Sequence, residues 1–308
     1  MRVAACIPLY PPTSRVGAWL STHQCLVHLR RLGHDVEVAR LLAARKPDYE
    51  IDDIPVHSGP GWRQRLIDAA DIAISHLGDT GRSHSDALDA GVPSVRMAHG
   101  GVVRPGQLER AALVVWNSET YRDGRPGIVV HPPVWPERYA TTPGDHVTLV
   151  NLSEDKGVKT FWRCAEQLPA LRFLGVRGGI GRQVVPRARN VEVHPGTGDM
   201  REVYGRTRVL LAPSLHETWG RVGVEAMASG IPVIAHPTPG LRESLGEAGV
   251  FVDRDDVDGW VAEIERLQDP AEWAAASVRA LARSAELHPA AHLDRFARAI
   301  ESLKPVPA

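Results

Sequence analysis

Short, nearly unbroken apolar runs recur along this chain, and each gives way to a stretch whose apolar residues repeat at helical spacing. That alternation is the strongest constraint on the fold, because it calls for parallel strands joined by crossover helices. Residues 2–9 read as a first strand buried on both faces, since the apolar run has almost no polar break. Trp19, Leu20, Cys25, Leu26, Leu29 and Leu32 then mark a helix that Gly33 closes. Further strands are expected at 35–39, 72–75, 94–98, 113–116 and 128–131.

Residues 132–145 are rich in proline, threonine and glycine and lack periodicity, which makes them the linker. Alternation then begins again. Strands are expected at 147–151, 172–176, 191–194, 209–212, 232–235 and 250–252, with helices at 160–168, 200–206 and 221–228. From residue 257 the chain is rich in Ala, Glu and Arg and reads as helix, divided by Pro289. The expected organisation is an α/β chain of two Rossmann-like lobes facing each other across a cleft. Residues 1–143 form the first lobe and 144–288 the second, while 289–308 form a terminal helix packing back on the first. Ligands in such sheets bind beyond the carboxyl ends of the strands.

Composition narrows the function. Lys plus Arg is 36 against 37 for Asp plus Glu, with a net charge of −1, so there is no broad basic field for nucleic acid or anionic lipid. Three cysteines, Cys6, Cys25 and Cys164, are widely spaced and give neither a disulfide framework nor a metal pattern. The longest uncharged run, residues 226–241, is broken by prolines and glycines and is too short to span a bilayer. These features predict a soluble, cytoplasmic protein.

The most informative stretch runs from His216 to Ile234. It sets Glu217 ahead of a helix start and Glu225 inside that helix, with seven residues between. A helix beginning near Gly220 offers unpaired N–H groups and a partial positive charge to an anion. Gly220 and Gly223 permit close approach to the backbone, and Glu225 can accept two hydroxyls at once. An anion site flanked by carboxylates suits a ligand with both phosphate and vicinal hydroxyls. Sugar nucleotides have both.

This block resembles the Glu-x7-Glu signature of the retaining nucleotide-sugar glycosyltransferases of family four, which have the GT-B fold. The similarity runs along nearly the whole chain, through Leu32-Gly33-His34-Asp35-Val36, Ala98-His99-Gly100, Asn117-Ser118, Pro132-Pro133-Val134, Asp155-Lys156-Gly157, Pro213-Ser214 and Gly240-Leu241-Arg242-Glu243. The resemblance implies a hexosyl- or pentosyltransferase that moves a sugar from a UDP or GDP carrier to an acceptor hydroxyl with retention, without a metal or other cofactor. It implies that Glu217 orients the donor sugar, Glu225 holds the ribose and Lys156 neutralises the diphosphate. His99 matches the family's active-site histidine, and the turn at Val16-Gly17-Ala18 matches the loop that nears donor phosphate and acceptor.

The chain departs from that pattern in two places. Val150-Asn151 stands where the family has Gly-Arg, so one phosphate-binding cation is missing, and Asn151 supplies hydrogen bonding without charge. Arg221 or Arg177 is the expected substitute, with Arg221 favoured for its place at the helix start. Val16 and Trp19 also replace a glycine and an acidic residue, which alters the acceptor side. His194 ends a strand on the base side. Asp253-Arg254-Asp255 imitates a metal motif but precedes a helix, where acids favour the first turn. Arg30, Arg31, Arg40, Arg45 and Lys46 form a small basic set that in lipid-acting relatives meets a membrane; it more simply makes a solvated face. Alternatives are a sugar-nucleotide epimerase or phosphorylase on the same fold, and a catalytically silent sugar-nucleotide-binding protein. The partner expected is a nucleotide-sugar donor; the acceptor, whether glycan, protein, modified nucleic acid or small metabolite, is not legible.

Overall fold

The computed structural model describes residues 1–12, 14, 16–42, 47–77, 82–179, 181–185 and 188–303. Two compact units divide the chain: Met1–Pro133 with Pro289–Ala308, and Val134–His288.

The first unit runs β1 (Arg2–Ile7), α1 (Gly17–Arg31), β2 (Asp35–Arg40), β3 (Tyr49–Ile51), β4 (Ile54–Ser58), α2 (Trp62–Ala69), β5 (Ile72–His76), α3 (Arg82–Asp89), β6 (Ser94–Ala98), β7 (Leu113–Trp116), α4 (Glu119–Arg122) and β8 (Ile128–Val129). Its sheet has the order β3-β4-β2-β1-β5-β6-β7-β8, and β3 alone runs antiparallel, against β4. Residues 3–7 of β1 are all buried, as a central strand covered on both faces requires. The β3–β4 hairpin has no counterpart in the expectations above. It turns on Asp52 and Asp53, both at positive φ, a geometry that two-residue hairpin turns demand but that Asp-Asp signals weakly.

The second unit runs β9 (His146–Val150), α5 (Val158–Gln167), β10 (Phe173–Val176), β11 (Val191–His194), α6 (Arg201–Tyr204), β12 (Thr207–Ala212), α7 (Arg221–Met227), β13 (Val233–Ala235), α8 (Pro239–Leu245), β14 (Val250–Phe251), α9 (Val257–Arg266) and α10 (Pro270–Glu286). Its six parallel strands take the order β11-β10-β9-β12-β13-β14, the doubly wound 3-2-1-4-5-6 arrangement. The order reverses between β9 and β12, and the crevice outside that switch point is where such sheets bind ligands. In the first unit the equivalent reversal lies between β1 and β5.

The unit boundary falls at Pro133, ten residues ahead of 143, because Val134 is 2% exposed in the second unit's core and Tyr139 packs against it. The last helix, α11 (Ala290–Glu301), belongs to the first unit. It buries Leu293, Phe296, Ala297 and Ile300. His28 and His34 meet Asp294 and Glu301 at 3.1 Å each, and His131 stacks on His292 with ring centroids 4.2 Å apart. All three cysteines are buried and unbridged. Among the described residues no helix is long and apolar enough to cross a membrane.

Candidate active site

Two loops frame the switch point of the second sheet, one after β9 and one after β12. They are laced together: the Leu215 amide donates to the Asp155 carbonyl at 2.8 Å. Gly157 stands at φ +85°, and a Cβ there would come within 2.4 Å of the Pro213 ring, so only glycine lets the loops close. Behind them, the Arg254 guanidinium donates to the carbonyls of Glu154 and Asp155. The acids beside it serve the turn: Asp253 accepts from the Asp255 amide at 3.0 Å, and Asp256 caps α9.

This scaffold brings Lys156 and Glu217 into an ion pair, their side chains 31% and 21% exposed. The Ser214 hydroxyl adds a bond to the same Glu217 oxygen at 3.1 Å. Lys156 precedes α5, and Glu217 lies in the loop that ends at Gly220. Gly220 is in the left-handed region at φ +83°, and an added Cβ would meet Leu241 at 2.4 Å. No side chain caps the α7 start there.

Glu225 lies one turn into α7 and is 5% exposed. Arg221 Nε donates to Oε1 at 2.6 Å, and the Tyr204 hydroxyl donates to Oε2 at 2.8 Å. Arg221 reaches on to the Tyr139 hydroxyl at 2.8 Å. Burial raises the Tyr204 and Tyr139 pKa values, and the Glu225 charge raises that of Tyr204 further. Burial opposes the Arg221 charge, but Glu225 and Tyr139 together more than offset it, so its pKa is raised and it stays cationic. With 11% of its side chain exposed, Arg221 is committed to Glu225 and Tyr139. Arg177 is the other candidate cation. That side chain, exposed at the carboxyl end of β10, bonds to no partner among the described residues. Its own amide donates to the His194 carbonyl, which brings the ends of β10 and β11 side by side.

Asn151 directly follows β9. It sits at φ +72°, and its Oδ1 accepts from Gln183 at 2.7 Å. Gln183 Oε1 accepts in turn from the Leu152 and Gly178 amides at 3.0 and 2.9 Å, so this side chain pins the loop after β10 across the end of β9. Gln183, Ser214, Tyr139 and Tyr204 are the residues that sequence reasoning did not find in these roles. Only Ser214 lay within a quoted motif.

In the first unit, Gly17 opens α1 beyond β1, with no side-chain cap. His99 follows β6, and its Nε2 lies 3.2 Å from the Thr22 hydroxyl of α1. His76 ends β5 and stacks on His99, with centroids 5.2 Å apart and planes within 3°. Trp19 covers His76 at 4.6 Å. Gly17, Trp19, Thr22, His76 and His99 thus gather at the carboxyl ends of the strands beside this unit's own switch point. The small basic set is described only in part. Arg40 is 3% exposed and bound to Ser58 and the Pro47 carbonyl, Arg30 pairs with Asp35, and Arg45 and Lys46 lie outside the described residues.

Residues 146–270 match the family described as Glycosyl transferases group 1. The chain is 36% identical over 87 residues to O-antigen chain mannosyltransferase B of Escherichia coli, covering 28% of this chain and 23% of that one. A D-inositol 3-phosphate glycosyltransferase of Mycobacterium marinum is 27% identical over 262 residues, 81% of this chain and 52% of the relative. The chain therefore spans about half the length of that relative and less than a quarter of the E. coli one. In fold it is similar to a sucrose-phosphate synthase from Thermosynechococcus elongatus, with a TM-score of 0.79, 17% identity and 98% of each chain covered. It is also similar to Anabaena HepE in complex with UDP, at 0.77, 16% identity, 98% of this chain and 100% of that one. Residues 146–270 thus match the group 1 glycosyltransferases, in a chain of two Rossmann-like units whose neighbours in fold are GT-B glycosyltransferases.

Proposed function

We propose that the protein transfers a sugar from a nucleoside-diphosphate carrier, UDP or GDP, to an acceptor hydroxyl, with retention and without a metal. One observation carries this reading: Lys156 and Glu217 form a part-exposed ion pair on the two loops that flank the second sheet's switch point. A diphosphate carries more charge than one carboxylate and draws the ammonium away from Glu217, which frees that carboxylate for a hydroxyl of the donor sugar. Arg177 supplies the second cation, and the Glu225 carboxylate, held by Arg221 and Tyr204, faces the ribose. Support comes from relatives named as glycosyltransferases, and from HepE, a neighbour in fold solved with UDP and with UDP-glucose.

In the reaction proposed, the bond from the anomeric carbon to the β-phosphate oxygen breaks as the acceptor oxygen bonds to that carbon from the same face. The acceptor's proton passes to the departing phosphate oxygen. Charge grows on that phosphate, and Lys156 is already in place to meet it, which lowers the barrier without reorganisation. No carboxylate forms a covalent bond to the sugar. His99 of the first unit is read as an active-site group, as the resemblance implies. NMR of the product anomer and an assay in EDTA test the reading: retained configuration and undiminished turnover are expected. An inverted product would overturn the stereochemistry, and activity lost to EDTA would overturn the metal-free claim.

A further inference from the structure

We propose that His76 is a positioning residue, which fixes the orientation of the His99 imidazole and keeps water from one of its faces. The inference rests on the reading of His99 as an active-site group. Strand register explains why the two meet. His76 of β5 pairs with Met97 of β6, and His99 lies two residues further on, so the pleat returns it to the face that His76 occupies. The rings then stack at 5.2 Å with planes 3° apart. Trp19, from the first turn of α1, closes the far side of His76 at 4.6 Å.

The edge of His99 is fixed as well as its face. The Thr22 hydroxyl donates to the Ala18 carbonyl at 3.1 Å and so is left to accept from Nε2–H of His99, which assigns that tautomer. Asn117 Nδ2 holds the His99 carbonyl at 3.2 Å. Trp19 from α1 and His99 pack against His76, and the Arg96 charge on β6 acts on it through space. Burial, the neighbouring His99 and the Arg96 guanidinium all depress the pKa of His76, in that order. Burial thus holds His76 in its uncharged form. A proton arriving on His76 feels the Arg96 charge with little water to screen it.

The sequence offers no sign of this arrangement, because a histidine ending a strand looks the same whether it packs or reacts. Its logic is chemical: a neutral imidazole beside an anomeric centre can share electron density or orient a hydroxyl, whereas an imidazolium would repel developing positive charge.

The test compares His76→Ala, His76→Phe and His99→Ala in the full chain, with the nucleotide sugar that supports turnover. His76→Ala should lower kcat about 10- to 100-fold, leave the donor KM within about twofold, and move the acid limb of the pH profile to higher pH as water reaches His99. His76→Phe, flat and dry, should restore most of kcat and return the acid limb to its original place. Circular dichroism melting and nucleoside-diphosphate binding, both measured on each variant, separate a folding defect from a catalytic one. If His99→Ala is inactive while His76→Ala keeps its kcat and acid limb, the positioning role is wrong. Failure of His76→Phe to recover what His76→Ala loses overturns it equally. If His99→Ala turns over normally, the reading of His99 fails first and takes this inference with it.

Discussion

Arg221 is either a lock on Glu225 or a ligand for phosphate, and its removal decides between them. The guanidinium and the Glu225 carboxylate meet at 2.6 Å with only 11% and 7% of their side chains exposed, and the Tyr204 and Tyr139 hydroxyls complete the network. Removing one member of such a buried pair strands the other charge, which costs about 3–5 kcal/mol. In a domain the size of Val134–His288, each kcal/mol is worth about 2–4 °C, so Arg221→Met should lower the second unit's Tm by about 6–20 °C. Combining it with Glu225→Gln removes the stranded charge, and the double variant should regain most of that loss, because an apolar replacement of a buried pair is often nearly neutral. Urea unfolding of the four proteins in a double-mutant cycle, with nucleoside-diphosphate titration of each, is the assay. A cost below about 1 kcal/mol for Arg221→Met, together with a tenfold or greater loss of diphosphate affinity, would refute the lock and return Arg221 to the phosphate.

Other outcomes follow from single contacts. Arg177→Ala should weaken diphosphate binding by about 10- to 100-fold, as loss of one charge-assisted contact implies, and leave unfolding unchanged; unaltered binding would remove it from the site. Gly157→Ala imposes φ +85° on an alanine and drives its methyl into Pro213, so the loops around Lys156 must part. Donor affinity should fall further than in Lys159→Ala, an exposed lysine of the next helix, and equal affinities would contradict the closure. His292, held down to about 4 by burial and by the nearby His131 and Arg295, makes α11 docking sensitive to acid. Its ordinary value is 6.5, so between 6.5 and 4 the unfolded chain binds the extra proton; this stability is present above 6.5 and drains as pH falls toward 4. Unfolding of wild type and His292→Phe at pH 7 and 4.5 checks it, and identical losses would contradict it.

The second unit was legible in the sequence because its strands are short apolar runs and its turns carry strong punctuation. β11 falls at 191–194 as expected, and α7 begins at residue 221. Its candidate residues also come together in part: Lys156 with Glu217, and Arg221 with Glu225. The partnerships themselves were hidden, since nothing in the spacing says that Tyr139, Tyr204 and Arg221 converge on one carboxylate. The first unit was harder. Its β3–β4 hairpin alternates weakly around an Asp-Asp turn, and Arg40, which looks like surface charge, is buried against Ser58 in β4. His76 was hidden for a third reason: its role depends on register between two strands, which no local pattern encodes.

Calorimetric titration of the full chain with UDP, GDP and ADP, repeated for Lys156→Ala, bears most directly on the claim that the second unit's switch point is a diphosphate site. At least one nucleotide should bind, and Lys156→Ala should weaken it by about 10- to 150-fold, as loss of one hydrogen bond to a charged group implies. No binding by any of the three, or binding indifferent to Lys156, would contradict the account.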